Sequence, residues 1–520
     1  MTNKILQSSQ WHKKEGVAVR GYCFDDENKL HEGEGLLQLF ATVKNEDDFR
    51  LLLQDANGIF SVVINTGNSL FAASDKSRVI PLFYSFENNT FSISDNPYNL
   101  LPEKPEIDSE AEQEFLLSSI TFDEKTLIKG VFQIKPSAYL CCENNNVCQK
   151  EYYSYCVKNS ELNKSETLEK DFSEVLENVF RRLIKSANGR QIAVPLSGGY
   201  DSRLIVAMLK KLDYQNVVCY TVGRENNPEY LIAKEVARRL GYPYHFIFTG
   251  DRKFIENYTK DETFQRYYKF SGSFFQSFWM FEYFGVKYLI ENDLIEKNAI
   301  FAPGYLGDTL AGCHTTVRDI TEQDSFKALT KKLGKHLSIF GEPNKKNLEK
   351  LSQLIGFQND KLSTSSFDNA VIKTRIARRT NNATRLYDFF GYDVRLPFWD
   401  NEIMEFSRIL PPNLKYNKWF YANYLKNNLF NDYNINFEKE LQIQHKKSLL
   451  QPLKDFLKPF MPKFIFRLVS KYQNDTCMEE ITAPLLADLK NKKIKLNTVK
   501  INEVFSLWYL MKIKEDLFLS

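Results

Sequence analysis

At 520 residues the chain exceeds what one hydrophobic core supports, since cores stop growing near about 250–300 residues, so two domains are expected. It is 43% hydrophobic and 26% charged, and no apolar run approaches the roughly 18 residues of a membrane span, so no membrane partner is expected. A formal net charge of +3, with basic and acidic residues interspersed, argues against nucleic acid as a partner.

The first residues, Met1-Thr2-Asn3-Lys4, lack the apolar stretch of a secretory signal, and the cytoplasm is the expected location. The eight cysteines form no CxxC pair, so neither a disulfide framework nor a zinc site is expected. Over the first ~155 residues, β-branched and aromatic runs at 16–23, 60–64, 69–73, 81–85 and 90–93 alternate with Asn, Gly and Asp clusters, a spacing that predicts stacked antiparallel sheets. The polar stretch from Val157 to Lys164 then gives way to a helical period with apolar residues at Leu168, Phe172, Val175, Leu176, Val179 and Phe180. The boundary falls there, dividing the chain into a domain over 1–157 and a second over 165–520.

Beyond it the pattern reads strand (191–195), glycine turn, helix (202–212), strand (217–221), helix (229–240), strand (244–248), which predicts an α/β domain with a parallel sheet. From about Phe254 the chain reads as mostly helical. The aromatic-dense segment Phe274-Phe275-Gln276-Ser277-Phe278-Trp279-Met280-Phe281 is expected to be a helix-packing core.

The turn itself carries chemistry. Leu196 delivers Ser197-Gly198-Gly199-Tyr200-Asp201-Ser202 to a helix start, where glycines let backbone approach an anion and hydroxyls and free N–H groups donate to it. The competing reading is a plain tight turn with a serine cap. No lysine follows the second glycine, so this is not the GxxxxGK[ST] loop of γ-phosphate transfer.

The hexapeptide resembles the SGGxDS loop of the ATP-pyrophosphatase superfamily, which cleaves ATP between its α- and β-phosphates. Within that superfamily the chain resembles the class B asparagine synthetases. Thr221-Val222-Gly223 is similar to the adenine-side segment, and Asn227-Pro228-Glu229-Tyr230 with Ala233, Val236 and Ala237 to the following helix. Pro303-Gly304-Tyr305-Leu306-Gly307-Asp308-Thr309-Leu310-Ala311-Gly312 is similar to the second loop, usually SGEGxDExFGG. Arg395-Leu396-Pro397-Phe398-Trp399-Asp400 is similar to R-x-P-F-L-D, and His445-Lys446-Lys447 lies where a basic catalytic segment is kept.

The resemblance implies an adenine nucleotide alpha hydrolase-like fold for the second domain, with ATP and Mg²⁺ as cofactors. The ATP contacts would be Leu196, Ser197, Gly198, Gly199, Asp201, Ser202, Val222, Pro303 and Gly304. Asp201 and Asp308 would hold the cation, a hard ion suited to carboxylates. Lys447, with Lys446 as alternate, would stabilise the charge growing on phosphate. Tyr305 stands where the family has glutamate and Thr309 where it has a second acid, which puts asparagine itself in doubt as product. Tyr305 either relays a proton or walls the pocket. Arg395 and Asp400 are expected to support the fold rather than touch ATP.

Residues 57–62, 73–77, 80–84 and 92–94 resemble the second half of the family's glutaminase domain, an Ntn-hydrolase-like α+β sandwich. Its nucleophile is a cysteine at the mature N-terminus, but position 2 is Thr2 and no glutamine-binding segment precedes Gln54. The expectation is therefore an AMP-forming carbon–nitrogen ligase with an inactive glutaminase-like domain. Its partners would be a small carboxylate substrate and ammonia or an amine donor, and a homodimer is compatible with the family. Alternatives are a glutamine-hydrolysing asparagine synthase proper and a non-catalytic nucleotide-binding scaffold.

Overall fold

The computed structural model describes residues 2–6, 10–67, 69–87, 90–143, 146–163, 165–224, 228–317, 319, 324–339, 341–355, 363–437, 477–496 and 500–518. In the first part of the chain, β1 (Thr2–Leu6) leads into β2 (His12–Lys14), β3 (Val17–Phe24) and β4 (Leu30–Glu32). The helices α1 (Gly33–Phe40) and α2 (Glu46–Asp55) follow, the second capped by Asn45, whose side chain accepts from the Asp48 N–H. Next come β5 (Asn57–Asn65), β6 (Ser69–Ser74), β7 (Phe83–Glu87), β8 (Thr90–Ser94), α3 (Ser109–Ser118), β9 (Val131–Gln133), β10 (Ala138–Glu143) and β11 (Asn146–Glu151).

The strands form two sheets, ordered β1-β8-β7-β9 and β11-β10-β6-β5-β3-β2, with β4 paired to β3. Successive residues point to opposite faces, and the sequence uses both. Val62, Phe71, Tyr139 and Cys141 join Leu36, Phe40, Phe49 and Leu53 under the two helices, whereas Val63, Ala72, Leu140 and Cys142 pack against Phe91 and Ile93 of the other sheet. The result is a helix layer on two stacked sheets. The expectation of antiparallel sheets needs one correction: β1 runs parallel to β8, in register from Thr2↔Thr90 to Leu6↔Ser94, so the first sheet is mixed.

A 20-residue helix, α4 (Leu168–Ala187), presents Phe172, Leu176, Val179, Phe180 and Leu183 to the core at helical spacing. The α/β part then runs β12 (Ile192–Pro195), α5 (Tyr200–Lys211), β13 (Val217–Gly223), α6 (Pro228–Leu240), β14 (Tyr244–Phe248), and later β15 (Ile300–Phe301) and β16 (Asp393–Val394). All pairings in this sheet are parallel, in the order β14-β13-β12-β15-β16. From β12 the chain builds outward to one side through β13 and β14, and later to the other through β15 and β16. The crevice between β12 and β15 is therefore the switch point, where open parallel sheets bind ligands.

The aromatic-dense segment is core, but it is not helical. Phe274, Phe275, Phe278 and Met280 are buried in irregular chain between the helices Glu262–Gly272 and Tyr283–Glu291. Its backbone serves as a seam: the Phe275 and Phe274 carbonyls accept from the Thr121 and Leu127 N–H groups at 2.8 and 2.7 Å, which joins the amino-terminal sheets to the α/β part. Ser273 and Phe274 take left-handed φ of 46° and 60°, and the Phe274 N–H donates to the Tyr509 hydroxyl at 3.0 Å, so the helical ladder breaks off here.

A second tie runs through Asp400. It accepts both arms of the buried Arg182 guanidinium at 2.7 and 2.8 Å, accepts from the Asn57 amide at 3.0 Å, and caps the helix Asn401–Ile409. Arg395 likewise donates to Ser186 Oγ at 2.9 Å. Both contacts are structural, as expected of these residues. Asp400→Ala leaves a buried guanidinium without its bidentate partner, and should destabilise the protein by roughly 3–5 kcal/mol. Denaturant unfolding checks this, and a midpoint equal to the parent's would contradict it.

Candidate active site

The two glycine-containing loops leave neighbouring parallel strands at their carboxyl ends, one after β12 and one after β15. In the first, the Ser197 N–H donates to Ser202 Oγ at 3.0 Å, and the Gly199 N–H donates to Ser197 Oγ at 3.1 Å. These bonds fold the loop onto the first turn of α5. Leu196 is buried, its carbonyl accepting from Thr221 Oγ1 at 2.5 Å, and Gly199 is exposed at the helix start. Beneath the loop the fully buried Arg203 donates to the Gly198 and Ile435 carbonyls at 2.5 and 2.9 Å, with its guanidinium against the Tyr200, Phe430 and Phe437 rings. A charged strut thus ties the loop to the segment ending at 437.

The second loop meets the first through missing side chains. A Cβ on Gly304 would lie 3.0 Å from Asp201 Cβ, and one on Gly307 would lie 2.7 Å from each Asp201 carboxylate oxygen. Only glycine lets the two backbones close this far. Leu306, between them, takes a left-handed φ of 82°, a strained conformation for a leucine that aims the next turn back at α5. Asp201 accepts from the Asp308 backbone and from the Tyr421 hydroxyl, the latter at 2.8 Å, while Lys418 pairs with the exposed Asp308 carboxylate.

Two carboxylates therefore sit together. Burial, then the neighbouring Asp308, push the Asp201 carboxyl up to about 7. Despite its own burial, the Lys418 ammonium is held above the usual lysine value by Asp308. A dication added to such a pair would relieve both effects, so the donor set suits one. Among the described residues no group of three or more His, Cys, Asp and Glu is arranged to hold a metal, and any ion here would rely on these two acids and on its substrate.

Tyr305 belongs to a separate hub. Its hydroxyl donates to Glu282 Oε1 at 3.4 Å, and Tyr220 and Tyr387 donate to Glu282 Oε2 at 3.0 and 2.8 Å. Burial raises both the Glu282 carboxyl and the Tyr305 phenol. Pro303 is buried behind the loop, and the half-buried Val222 directs its side chain against Gly285 of the helix Tyr283–Glu291. Lys446 and Lys447 lie outside the described residues. The sequence reading missed Lys418, Tyr421, Arg203 and Glu282. The only local signal was at Glu282, a lone acid closing an aromatic run, whereas Lys418 and Tyr421 reach the loops through tertiary folding.

A glycine loop at the switch point of a parallel sheet thus faces a second loop, carrying Asp308, from the adjacent strand. The chain belongs to the asparagine synthase family, whose model matches residues 172–431, half of its length; a glutamine amidotransferase domain model matches residues 33–153. That second match starts upstream of Asn57 and so takes in α1 and α2 as well. A probable glutamine-hydrolyzing asparagine synthetase of Acanthamoeba polyphaga mimivirus is 29% identical over 230 residues, 41% of this chain and 38% of that protein. The glutamine-hydrolyzing asparagine synthetase of Gallus gallus is 31% identical over 96 residues, 18% and 17% of the two chains, and amidase chry2 of Gibberella zeae is 26% identical over 231 residues, 39% and 33%. The chain thus spans well under half the length of these curated relatives. Among solved structures, an allosteric regulatory enzyme of purine biosynthesis aligns over 46% of this chain and 62% of its own at 10% identity and a TM-score of 0.19, too loose a superposition to bear on the fold.

The loop contact makes a sharp prediction. Gly307→Ala places a methyl against the Asp201 carboxylate and should weaken Mg·ATP binding by calorimetry about tenfold or more, a loss of roughly 1.4 kcal/mol. Asp201→Asn tests the charge. Because the folded-state carboxyl lies above its unfolded value, ionisation costs stability as pH rises through about 7. The amide variant should therefore melt above the parent at alkaline pH without ligand, yet gain no stability from Mg·ATP. A variant melting below the parent would contradict the charge repulsion.

Proposed function

We propose that the protein is an ATP-dependent, AMP- and pyrophosphate-forming amide ligase. The observation that carries this reading is the meeting of the Ser197–Ser202 loop with Asp308 across the β12–β15 crevice. A substrate carboxylate oxygen attacks the α-phosphorus of ATP, the bond to the β-phosphate bridge breaks, and pyrophosphate leaves. The backbone N–H groups and hydroxyls at the start of α5 bind the departing phosphates, and the helix dipole favours their charge. Asp201 and Asp308 would hold Mg²⁺, which supplies charge neutralisation across the phosphates. Lys418, paired with Asp308 on the rim, brings a cation that the sequence reading assigned to Lys447, and both are proposed to stabilise phosphate charge.

The second step is amine attack on the acyl-adenylate carbonyl, with AMP leaving. The attacking nitrogen must lose a proton, and Tyr305 backed by Glu282 is the proposed relay. The glutaminase-like region over 1–157 is proposed to be inactive in glutamine hydrolysis, since Thr2 occupies the position of the expected cysteine, and the ligase region is proposed to cover 165–520. The nitrogen would then come from ammonia or an amine substrate.

Pyrophosphate release with Mg·ATP across a panel of carboxylates that includes aspartate, with ammonia or glutamine supplied separately, tests this. Asp201→Ala and Asp308→Ala should each lower the rate by about 10²-fold or more, and Thr2→Ala should leave it unchanged. Undiminished release in the double aspartate variant would refute the site. Glutamate formed from glutamine in a Thr2-dependent way would favour the glutamine-hydrolysing alternative.

A further inference from the structure

The segment that leaves the amino-terminal sheets buries a tyrosine behind the second loop. Tyr155 lies two residues past the end of the amidotransferase match and joins the α/β core, fully buried. Its backbone is pinned on two helices, Ser363–Val371 and Asn401–Ile409. The Tyr155 N–H donates to Asn369 Oδ1 and the Val157 N–H to Ser365 Oγ, both at 3.0 Å, and Arg408 Nη1 donates to the Cys156 carbonyl at 3.1 Å.

The side chain completes a run of hydrogen bonds whose direction is fixed. Ser407 Oγ lies 2.7 Å from the Leu310 carbonyl, which can only accept, so the one serine proton is committed there. The Tyr155 hydroxyl, 2.8 Å from Ser407 Oγ, is then the donor between the two. Lys415 Nζ, 3.3 Å from the Tyr155 oxygen, can only donate, and supplies the hydrogen that this oxygen accepts. A buried ammonium thus heads a run that passes through two buried hydroxyls to the second loop, each bond polarising the next.

The far end of the run lies beside the candidate site. Leu310 closes the turn Gly307–Leu310 that carries Asp308, and its carbonyl is among those that a helix end leaves for outside partners. A Cβ on Gly312 would lie 2.5 Å from the Lys415 carbonyl oxygen, so the same loop also rests on the residue that heads the run. Three residues further on Lys418 pairs with Asp308, and Tyr421 reaches Asp201.

We propose that Tyr155 is a positioning residue for the second loop, fixing the Leu310 carbonyl through Ser407 and thereby the place of Asp308 beside the first loop. The region over 1–157 then serves the ligase site in a way that needs no nucleophile at position 2. The service of Asp308 to Mg²⁺ rests on the amide-ligase reading; the fixing of the loop does not.

Hydrogen exchange read by mass spectrometry on the full chain, without ligand, follows the loop itself. In Tyr155→Phe and in Ser407→Ala, exchange at the Gly312 and Cys313 N–H groups, which close onto the Thr309 and Asp308 carbonyls, should speed up about tenfold. Ser407→Thr keeps the hydroxyl and should hold the parent's rate. With Mn²⁺ as the probe and ATP present, metal affinity by electron paramagnetic resonance should weaken about tenfold in the first two variants, and their combination should lose no more than either alone. Should Tyr155→Phe fail to fold, the two Ser407 variants decide. A loop speed-up no larger than that of β12 would mark a general loss of stability and overturn the proposal, as would a Mn²⁺ affinity equal to that of a metal-binding parent. A parent that binds no Mn·ATP, with the loop loosened as expected, would instead overturn the amide-ligase reading and leave the positioning of the loop standing.

Discussion

The site depends on one close approach. Asp201 lies against backbone that carries no side chain, at Gly304 and Gly307, and this lets loops from two adjacent parallel strands bring Asp201 and Asp308 together. Sheet topology makes the approach available, because β12 and β15 are neighbours from which the chain departs in opposite directions. The cost is visible at both loops: burial and the neighbouring Asp308 raise the Asp201 carboxyl, and Leu306 is held at positive φ. Functional sites often retain such strain where a ligand relieves it.

Around this contact the protein builds two different supports. Arg203 under the first loop is held by carbonyls and rings and so links α5 to residues 430–437. Glu282 gathers three tyrosine hydroxyls and anchors the second loop through Tyr305. The amino-terminal sheets are tied to this framework by the Phe274–Phe275 seam and by Asp400, and Ile59, Phe83 and Val131 of those sheets join the α/β core while the rest pack in cores of their own.

Much of the α/β part was legible from local pattern. β14 falls on the strand expected over 244–248, and the switch from strand to glycine turn to helix at 192–211 was readable because period, turn chemistry and helix start all agreed there. The parallel pairing of β1 was not, since it joins residues about 90 apart and leaves no local mark. The aromatic run at 274–281 misled for a related reason: its composition reports burial, while its backbone leaves the helix at the left-handed Ser273 and Phe274 and pairs with the distant Thr121 and Leu127. At the site, Asp201 and Asp308 came from loop motifs, but Lys418, Tyr421 and Glu282 converge only in three dimensions.

The proposed chemistry of the paired loops is cleavage of ATP between its α- and β-phosphates. Phosphorus NMR of the nucleotide products, with Mg·ATP and the carboxylate that gives the highest turnover, tests it most directly. AMP and pyrophosphate in equal amounts are predicted. ADP and inorganic phosphate as the primary products would contradict the account.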